Sequence, residues 1–256
     1  MDKFNPFSEY TSIVDRALNS STKDQQLLKG LPSVRNFSFY EDYLPIRQQL
    51  HLDERLLRIA QDSGALVIPN QKVGCHPDFN HLRSEHEQTE YHYIVSAFID
   101  IKGSTRLLTK YDLETCKIIT DVIQLSAIAV SKVFGGFIHR LMGDGMFVYF
   151  GGKSVDKDDS VRHALLATSW ITFMVEEILP DVFERYNVEP LRIRTGVDFG
   201  DDNDVLWGVS GIEETSEVTT TSLHTSLASK MLGDVPRGNQ IVVGQNIKDR
   251  ANAPIQ

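Results

Sequence analysis

From Tyr91 onward, the chain alternates between short apolar runs and longer segments of helical periodicity. Short, mostly apolar runs bounded by glycine, proline or charged residues are typical of strands in a packed sheet. Such runs predict strands at Tyr93–Ile101, Phe137–Met142, Met146–Phe150, Leu191–Phe199, Val205–Val209 and Ile241–Val243. The second and third of these form a predicted hairpin around Asp144-Gly145, because Asp-Gly is a strong turn signal.

The segments between the strands carry apolar residues at three- and four-residue spacing, which predicts helices. The predicted helices are Ser104–Phe134, in two pieces divided near Tyr111-Asp112, then Asp156–Arg185 and Leu223–Leu232. Strands and helices therefore follow in the order βααββαββαβ. This order predicts an α+β fold with a βαββαβ-type core, in which helices pack on an antiparallel-rich sheet.

The first 90 residues are more polar than the rest and lack this alternation. Helical spacing of leucine and isoleucine predicts a helix from Pro45 to Ala60, and Asp62-Ser63-Gly64 ends it. We therefore predict two parts, a helical N-terminal extension at residues 1–90 and a folded domain at residues 91–256.

Composition and charge exclude several classes of function. Of 256 residues, 41% are hydrophobic and 24% are charged, as in ordinary soluble globular proteins. The net charge of −9 argues against general binding to nucleic acid or anionic membranes. There is no leader-peptide pattern and no apolar run of membrane-spanning length, and Cys75 and Cys116 lack metal-ligand spacing. A reduced, cytoplasmic protein is the expectation.

Two aspartates at the ends of apolar runs are the candidate chemistry. Asp100 closes the first predicted strand, and Asp144 lies in the predicted hairpin turn. Asp100 alone is also consistent with a helix cap, and Asp144 alone with an ordinary turn. On adjacent strands, beside the small residues of Gly103-Ser104-Thr105, the two carboxylates predict a site for divalent metal and phosphate.

Four segments, in the same order, resemble the motifs of class III nucleotidyl cyclases. The first metal segment of that family usually runs Phe-x-Asp-Ile-x-Gly-Phe-Thr, and the second runs Lys/Glu-Thr-Ile-Gly-Asp. The matching segments here are Phe98–Thr105, Arg140–Gly145, Arg192–Val197 with Gly200 and Trp207–Gly211, and Ala228–Met231. The resemblance covers the chain from about Tyr91 to its C-terminal end.

The resemblance implies a role for particular residues. Asp100 and Asp144, with the Ile101 carbonyl, would hold two Mg²⁺ or Mn²⁺ ions, and Arg194 would contact the triphosphate. Gly103, Ser104 and Thr105 would also bind the substrate phosphates. Ser226 replaces a family asparagine that orients the ribose, and Lys230 replaces an arginine that stabilises the transition state. The family also implies a homodimer with composite active sites.

Base choice can be argued from hydrogen-bond donors and acceptors. Arg140 occupies the position of a base-reading lysine in adenylate cyclases and a glutamate in guanylate cyclases, and Thr219 aligns with an adenine-reading aspartate. An arginine cannot accept the N1–H of guanine, but it can donate to the oxygens of uracil or to O2 and N3 of cytosine. A pyrimidine is therefore expected, with uracil ahead of cytosine.

The arginine before Gly-Asp-Gly and the polar N-terminal extension resemble the bacterial pyrimidine cyclases of antiphage defence, the Pycsar systems. That resemblance implies conversion of UTP to cyclic UMP, or of CTP to cyclic CMP, and a separate effector protein that the product activates. Two alternatives stay open at this point. One is a purine cyclase with an altered pocket, and the other is an inactive cyclase-fold dimer that senses nucleotides.

Overall fold

A computed structural model describes residues 54–66, 72–84, 88–235 and 237–251, together with nine positions between residues 7 and 19. Its strands are β1 Glu90–Tyr91, β2 Ile94–Ile101, β3 Gly136–Met142, β4 Gly145–Phe150, β5 Ile193–Gly200, β6 Leu206–Ile212, β7 Thr215–Thr221 and β8 Gln240–Val243. Its helices are α1 Glu54–Asp62, α2 Ser104–Lys110, α3 Leu113–Val133, α4 Lys157–Phe173, α5 Leu179–Glu184, α6 Leu223–Lys230 and α7 Gln245–Ala251.

The large sheet has the strand order β3-β4-β2-β5-β8. Neighbouring strands are antiparallel except β5 and β8, which are parallel. The predicted α+β fold is confirmed, and each predicted strand is present within a few residues of its expected bounds. In this arrangement β2 is a central strand, so its apolar run is buried on both faces.

A second, smaller sheet has the order β1-β6-β7. Strand β7 was not predicted, because its sequence is almost entirely polar and only Val218 is buried. Its extended conformation comes from antiparallel pairing with β6 along the whole hairpin. The short strand β1 and the helix α7 were not predicted either.

The predicted division of the first helical segment is confirmed. Helix α2 ends at Lys110, and Asp112 caps the N-terminus of α3 by accepting a hydrogen bond from the Thr115 N–H at 2.9 Å. The predicted helix at Asp156–Arg185 is formed by α4 and α5, joined by a π-helical turn at Met174–Ile178. Helix α1 ends at Asp62 as predicted, while residues 45–53 lie outside the described residues.

Apolar layers cover both faces of the large sheet. One layer contains the inward faces of α3, α4 and α5, and it includes Val95, Ala97 and Ile99 from β2. The opposite layer contains Ile94 and Phe98 from β2, together with residues of β6, β7 and α6. Because side chains alternate along a strand, Asp100 shares the face of Phe98 and therefore points toward α6 and β7.

Part of the N-terminal extension packs against the small sheet. A 3₁₀-helical turn at Pro77–Arg83 places Phe79 on Trp207 of β6, with stacked rings whose centroids lie 3.9 Å apart. The Arg83 guanidinium donates to the Ser216 carbonyl of β7 at 2.6 Å. Among the helices that the structure describes, none has both the length and the apolar character needed to cross a lipid bilayer.

Candidate active site

The carboxylates of Asp100 and Asp144 lie at one end of the central strands. Antiparallel pairing of β2 with β4 brings the end of β2 beside the turn that joins β3 to β4. The approach requires glycine at position 145, because a Cβ there would lie 2.9 Å from the Ile99 carbonyl oxygen and 3.1 Å from Asp100 Oδ1. The turn and β2 therefore meet with no side chain between them.

Electrostatics at this pair favour a bound cation. Burial raises the pKa of Asp100, the hydrogen bond from Arg194 lowers it, and the nearby charge of Asp144 raises it further. Asp144 Oδ2 is buried and has no hydrogen-bond partner among the described residues. A buried, unpartnered carboxylate oxygen beside a second carboxylate is a favourable ligand for a divalent ion.

Arg194 faces the pair from the neighbouring strand. The register of β2 and β5 places Arg194 directly opposite Asp100, and its guanidinium is hydrogen-bonded to Asp100 Oδ2. Another guanidinium nitrogen donates to the Leu232 carbonyl at 3.4 Å, while the buried Nε has no partner in the described part of the chain. An arginine held here keeps donors available for an anionic ligand.

A side chain of helix α3 is hydrogen-bonded to the turn that contains Asp144. The side-chain amide of Gln124 donates to the carbonyl oxygens of Gly143 at 3.3 Å and Gly145 at 3.1 Å. Both bonds span the aspartate between them, so they fix the backbone that carries the carboxylate. Gln124 was not predicted as a site residue, although an amide within a largely apolar stretch of a long helix is a signal that could have identified it.

The residues present fit a divalent metal that is shared with a ligand. Within the described ranges, no group of three or more histidine, cysteine, aspartate or glutamate side chains could hold a metal alone. Two carboxylates and a backbone carbonyl are the usual protein contribution where substrate phosphates and water complete the coordination of Mg²⁺. Asp100, Asp144 and Ile101 form such a set by position, since Ile101 directly follows Asp100 at the end of β2.

The small-residue turn lies between β2 and α2. Gly103 is the residue before the helix and has φ of 77°, a left-handed conformation that favours glycine. Ser104 is half-buried at the first position of α2, and Thr105 is exposed. The role of these three residues in phosphate binding stays a prediction.

The predicted base-reading residues lie on β3 and β7. Arg140 is ion-paired with Glu217 of β7, and its Nε donates to Glu217 Oε2 at 3.2 Å. Thr219 lies two residues beyond Glu217, on the same face of β7. Glu217 was not predicted as a site residue because β7 was not predicted. Alternation of side chains along Ser216–Thr221 would have placed Glu217 and Thr219 on one face.

A partly buried chain of hydroxyl groups connects this region to helix α6. Tyr149 of β4 is hydrogen-bonded to Thr220 at 2.9 Å, Thr220 to Thr225 at 3.0 Å, and Thr225 to Ser96 of β2 at 2.9 Å. Burial raises the pKa of Tyr149 to about 12, so its hydroxyl stays protonated and can donate. These bonds join β2, β4, β7 and the first turns of α6.

Helix α6 presents the two predicted catalytic residues to solvent. Ser226 and Lys230 are four residues apart, so both lie on the exposed face of the helix, and the Ser226 hydroxyl donates to the Ser222 carbonyl at 3.0 Å. No hydrogen bond or ion pair in the described residues joins them to Asp100, Asp144 or Arg140. The structure thus brings Asp100, Asp144 and Arg194 into one group and places Ser226 and Lys230 on a separate surface. Arg140 and Thr219 are linked through β7, where Arg140 contacts Glu217 and Thr219 lies two residues further on the same face.

Two curated cyclases are similar to the chain in sequence. The chain is 38% identical over 243 residues to a cytidylate cyclase of Staphylococcus aureus, which covers 94% of this chain and 55% of that protein. It is 34% identical over 184 residues to a cytidylate cyclase of Escherichia coli, across 70% of this chain and 39% of that protein. The chain therefore spans about half the length, or less, of the curated relatives it matches. No family model matches the chain.

Among solved structures, the fold is similar to cyclase catalytic domains. The guanylyl cyclase Cya2 matches with a TM-score of 0.56 and 20% identity, over 65% of this chain and 82% of that one. The adenylyl cyclase CyaB from P. aeruginosa matches with a TM-score of 0.56 and 18% identity, over 64% of this chain and 82% of that one. At this level of identity, these two structures support the fold alone.

Proposed function

Because the chain belongs to the class III nucleotidyl cyclase family, we propose that it converts a pyrimidine nucleoside triphosphate to the 3′,5′-cyclic monophosphate and pyrophosphate. The observation that carries the proposal is the carboxylate pair, in which Asp144 keeps a buried oxygen without a partner among the described residues. The names of the relatives favour CTP as the substrate, and the donors of Arg140 keep UTP as the second candidate.

The reaction forms a bond between the ribose 3′-oxygen and the α-phosphorus. It breaks the bond from that phosphorus to the bridging oxygen, and it releases pyrophosphate and the proton of the 3′-hydroxyl. Asp100 and Asp144, with the Ile101 carbonyl, would hold Mg²⁺ or Mn²⁺. When bound, these ions lower the pKa of the 3′-hydroxyl and offset the charge of the phosphates.

The chain's own residues position the triphosphate. Arg194 binds it through donors that now contact Asp100 and through its Nε, which has no partner among the described residues, and a guanidinium matches phosphate geometry well. The backbone N–H groups at Gly103-Ser104-Thr105 contact phosphate oxygens at the start of α2. Gln124 keeps the Asp144 turn in place, so the carboxylate does not have to be ordered when substrate arrives.

Ser226 and Lys230 act in the site of a second copy of the chain. Both are exposed on α6 and lack a bond to the carboxylate pair among the described residues, which suits a homodimer with composite sites. Ser226 orients the ribose, and the Lys230 ammonium stabilises negative charge on the transferred phosphoryl group. The cyclic product would act as a messenger for a separate effector protein in a cytoplasmic defence response.

Incubation of the protein with each of the four nucleoside triphosphates and Mn²⁺, followed by mass spectrometry, tests the proposal. We expect cyclic CMP as the main product, and loss of more than about 100-fold in rate for Asp144→Asn, because metal assistance contributes several kcal/mol. Glu114→Gln, an exposed substitution in the first turn of α3, is the matched control and should keep full activity. A cyclic purine nucleotide as the main product, or no product from any triphosphate, would reject the proposed function.

A further inference from the structure

Glu217 is the acidic residue nearest to the predicted base-reading arginine. Arg140 Nε donates to Glu217 Oε2 at 3.2 Å, and a second guanidinium nitrogen is paired with Oε1, so the contact is bidentate. The Arg140 side chain is 49% exposed and that of Glu217 is 27% exposed, so a ligand can reach both. The pair is a donor group and an acceptor group held side by side, not a lone cation.

A β-bulge in β3 produces this arrangement. The register with β4 shifts between Ile138 and Arg140, so His139 is the extra residue, and a bulge changes the direction of the side chains that follow it. His139 is buried, and its Nε2 lies 3.9 Å from Glu217 Oε2. Burial lowers the pKa of His139 to about 4, so the ring is neutral and leaves the carboxylate to Arg140.

The N-terminal extension holds the two strands together at this point. The Gly74 N–H donates to the His139 carbonyl at 2.7 Å, and the Val218 N–H donates to the Gly74 carbonyl at 3.2 Å. One glycine thus bonds to the bulge that precedes Arg140 and to the residue that follows Glu217. These backbone hydrogen bonds therefore fix the spacing between Arg140 and Glu217.

The hydrogen-bonding pattern of the pair matches one pyrimidine better than the other. Along its pairing edge, cytosine offers a donor at the 4-amino group and then acceptors at N3 and O2, whereas uracil offers an acceptor, a donor and an acceptor. A protein site for cytosine must therefore present an acceptor followed by two donors. A site for uracil must present a donor, an acceptor and a second donor, in that order. Arg140 has five N–H groups, of which two contact Glu217, so three remain to donate to a base beside the carboxylate. His139, whose Nε2 lies 3.9 Å from Glu217 Oε2, is too deeply buried to donate to a base as well.

We propose that Glu217 is the specificity-determining residue for cytosine, accepting a hydrogen bond from the 4-amino group while Arg140 donates to N3 and O2. This inference rests on the proposed function. Glu217 lies outside the four sequence motifs, and the proposal assigns base selection to the ion pair that it forms with Arg140. With uracil in the same place, the carboxylate would face the O4 oxygen, and two acceptors would be left without a proton between them.

Glu217→Gln tests the assignment, because it keeps the shape of the side chain while it turns half of the acceptor into a donor. We expect the ratio of kcat/KM for CTP over UTP to fall at least about tenfold, the loss of one hydrogen bond to a charged group. The value for UTP should hold or rise, since the amide can donate to O4. Glu214→Gln, an exposed change in the turn between β6 and β7, is the matched control and should leave the ratio unchanged.

A second measurement removes the partner group from the substrate, so it does not depend on how the variant folds. The triphosphate of 2-pyrimidinone riboside keeps N3 and O2 but lacks the 4-amino group. The unsubstituted protein should lose about the same factor with this analogue as Glu217→Gln loses with CTP, and the variant should lose little more.

Three results would overturn the inference: preference of the unsubstituted protein for UTP, an equal fall for CTP and UTP in Glu217→Gln, or full activity with the analogue. An absence of cyclic product from all four triphosphates would instead overturn the proposed function itself.

Discussion

Asp144 has a buried carboxylate oxygen without a hydrogen-bond partner among the described residues. The guanidinium of Arg194 is hydrogen-bonded to the neighbouring carboxylate of Asp100. An unsatisfied buried acceptor costs about 1–3 kcal/mol in the absence of a ligand. At the residue scale, the chain therefore carries a destabilising feature that a cation would relieve. The guanidinium next to it provides part of that positive charge when no metal is bound.

Replacing Arg194 by alanine should change metal and nucleotide binding in opposite directions. Loss of the guanidinium leaves the carboxylates uncompensated, so Mn²⁺ without nucleotide should bind about tenfold more tightly, equivalent to roughly 1.4 kcal/mol. KM for the triphosphate should rise, because a phosphate contact is lost. Titration calorimetry with Mn²⁺ alone provides a readout that is independent of activity.

Arg192→Ala is the matched control for that experiment, because Arg192 is exposed and its guanidinium donates to the Arg237 carbonyl at 2.8 Å, away from the carboxylates. Weaker Mn²⁺ binding in Arg194→Ala, or equal effects of the two substitutions, would contradict the role assigned to the arginine.

At the scale of elements, helix α6 lies directly on strand β5. A Cβ on Gly196 would lie 2.1 Å from the Ala228 carbonyl oxygen, which is closer than a carbon atom can approach a carbonyl oxygen without a steric clash. Ala228 is itself buried, and the glycine and the alanine belong to two different family motifs. Two short motifs that are distant in sequence therefore set one helix-to-sheet distance, and that distance positions the exposed face carrying Ser226 and Lys230.

Gly196→Ala should displace α6 and lower both stability and activity. Overpacking of this kind typically costs about 1–3 kcal/mol in the free energy of unfolding, and here the contact is with backbone, which cannot rotate away. Urea denaturation monitored by fluorescence measures the first effect, and the cyclase assay measures the second.

Gly233→Ala serves as the comparison for Gly196→Ala, because nothing lies within 4 Å of a Cβ at that position. If Gly196→Ala proved as stable and as active as Gly233→Ala, the close approach of α6 to β5 would not be required for stability or for activity.

At the scale of the whole molecule, one chain holds two sets of predicted site residues on different surfaces. The carboxylates lie at the end of β2 and in the turn between β3 and β4, while Ser226 and Lys230 lie on the exposed face of α6. In a two-fold symmetric pair of identical chains in which the carboxylates of each copy face α6 of the other, each of the two sites would hold one set from each copy.

Mixing two inactive variants should therefore restore activity. Asp144→Asn lacks a metal ligand and Lys230→Ala lacks the transition-state cation, so each homodimer should be inactive. Co-expressed at equal levels, half of the dimers should be mixed, and each mixed dimer has one intact site of two, which predicts about a quarter of full activity.

The pair Asp100→Asn and Asp144→Asn is the control for that mixture. Both substitutions fall in the same half of the site, so mixed dimers of these variants should stay inactive. Recovery in the control, or none with Asp144→Asn and Lys230→Ala in a preparation shown to be dimeric, would exclude composite sites.

The strands of the large sheet and helices α2 to α6 could be predicted from hydrophobic periodicity, because each buries an apolar face, whereas helix α7 was not predicted. Asp100 and Asp144 were predicted as metal ligands for a related reason, since a carboxylate at the end of a buried strand is costly unless a cation or a donor pairs with it. Strand β7 could not be identified, because six of its seven residues are polar and its conformation depends on pairing with β6. Glu217 was not predicted as a site residue because it lies in that strand.

By itself, the sequence determined the α+β fold, the family and the positions of Asp100, Asp144, Arg140 and Arg194, because these depend on local apolar patterns and short motifs. Only the tertiary structure decided which of these side chains meet. The register of β2 and β5 set Arg194 against Asp100, and the bulge at His139 with the Gly74 bridge set Arg140 against Glu217. Contacts between distant segments depend on strand register and backbone approach, which one-dimensional periodicity does not encode.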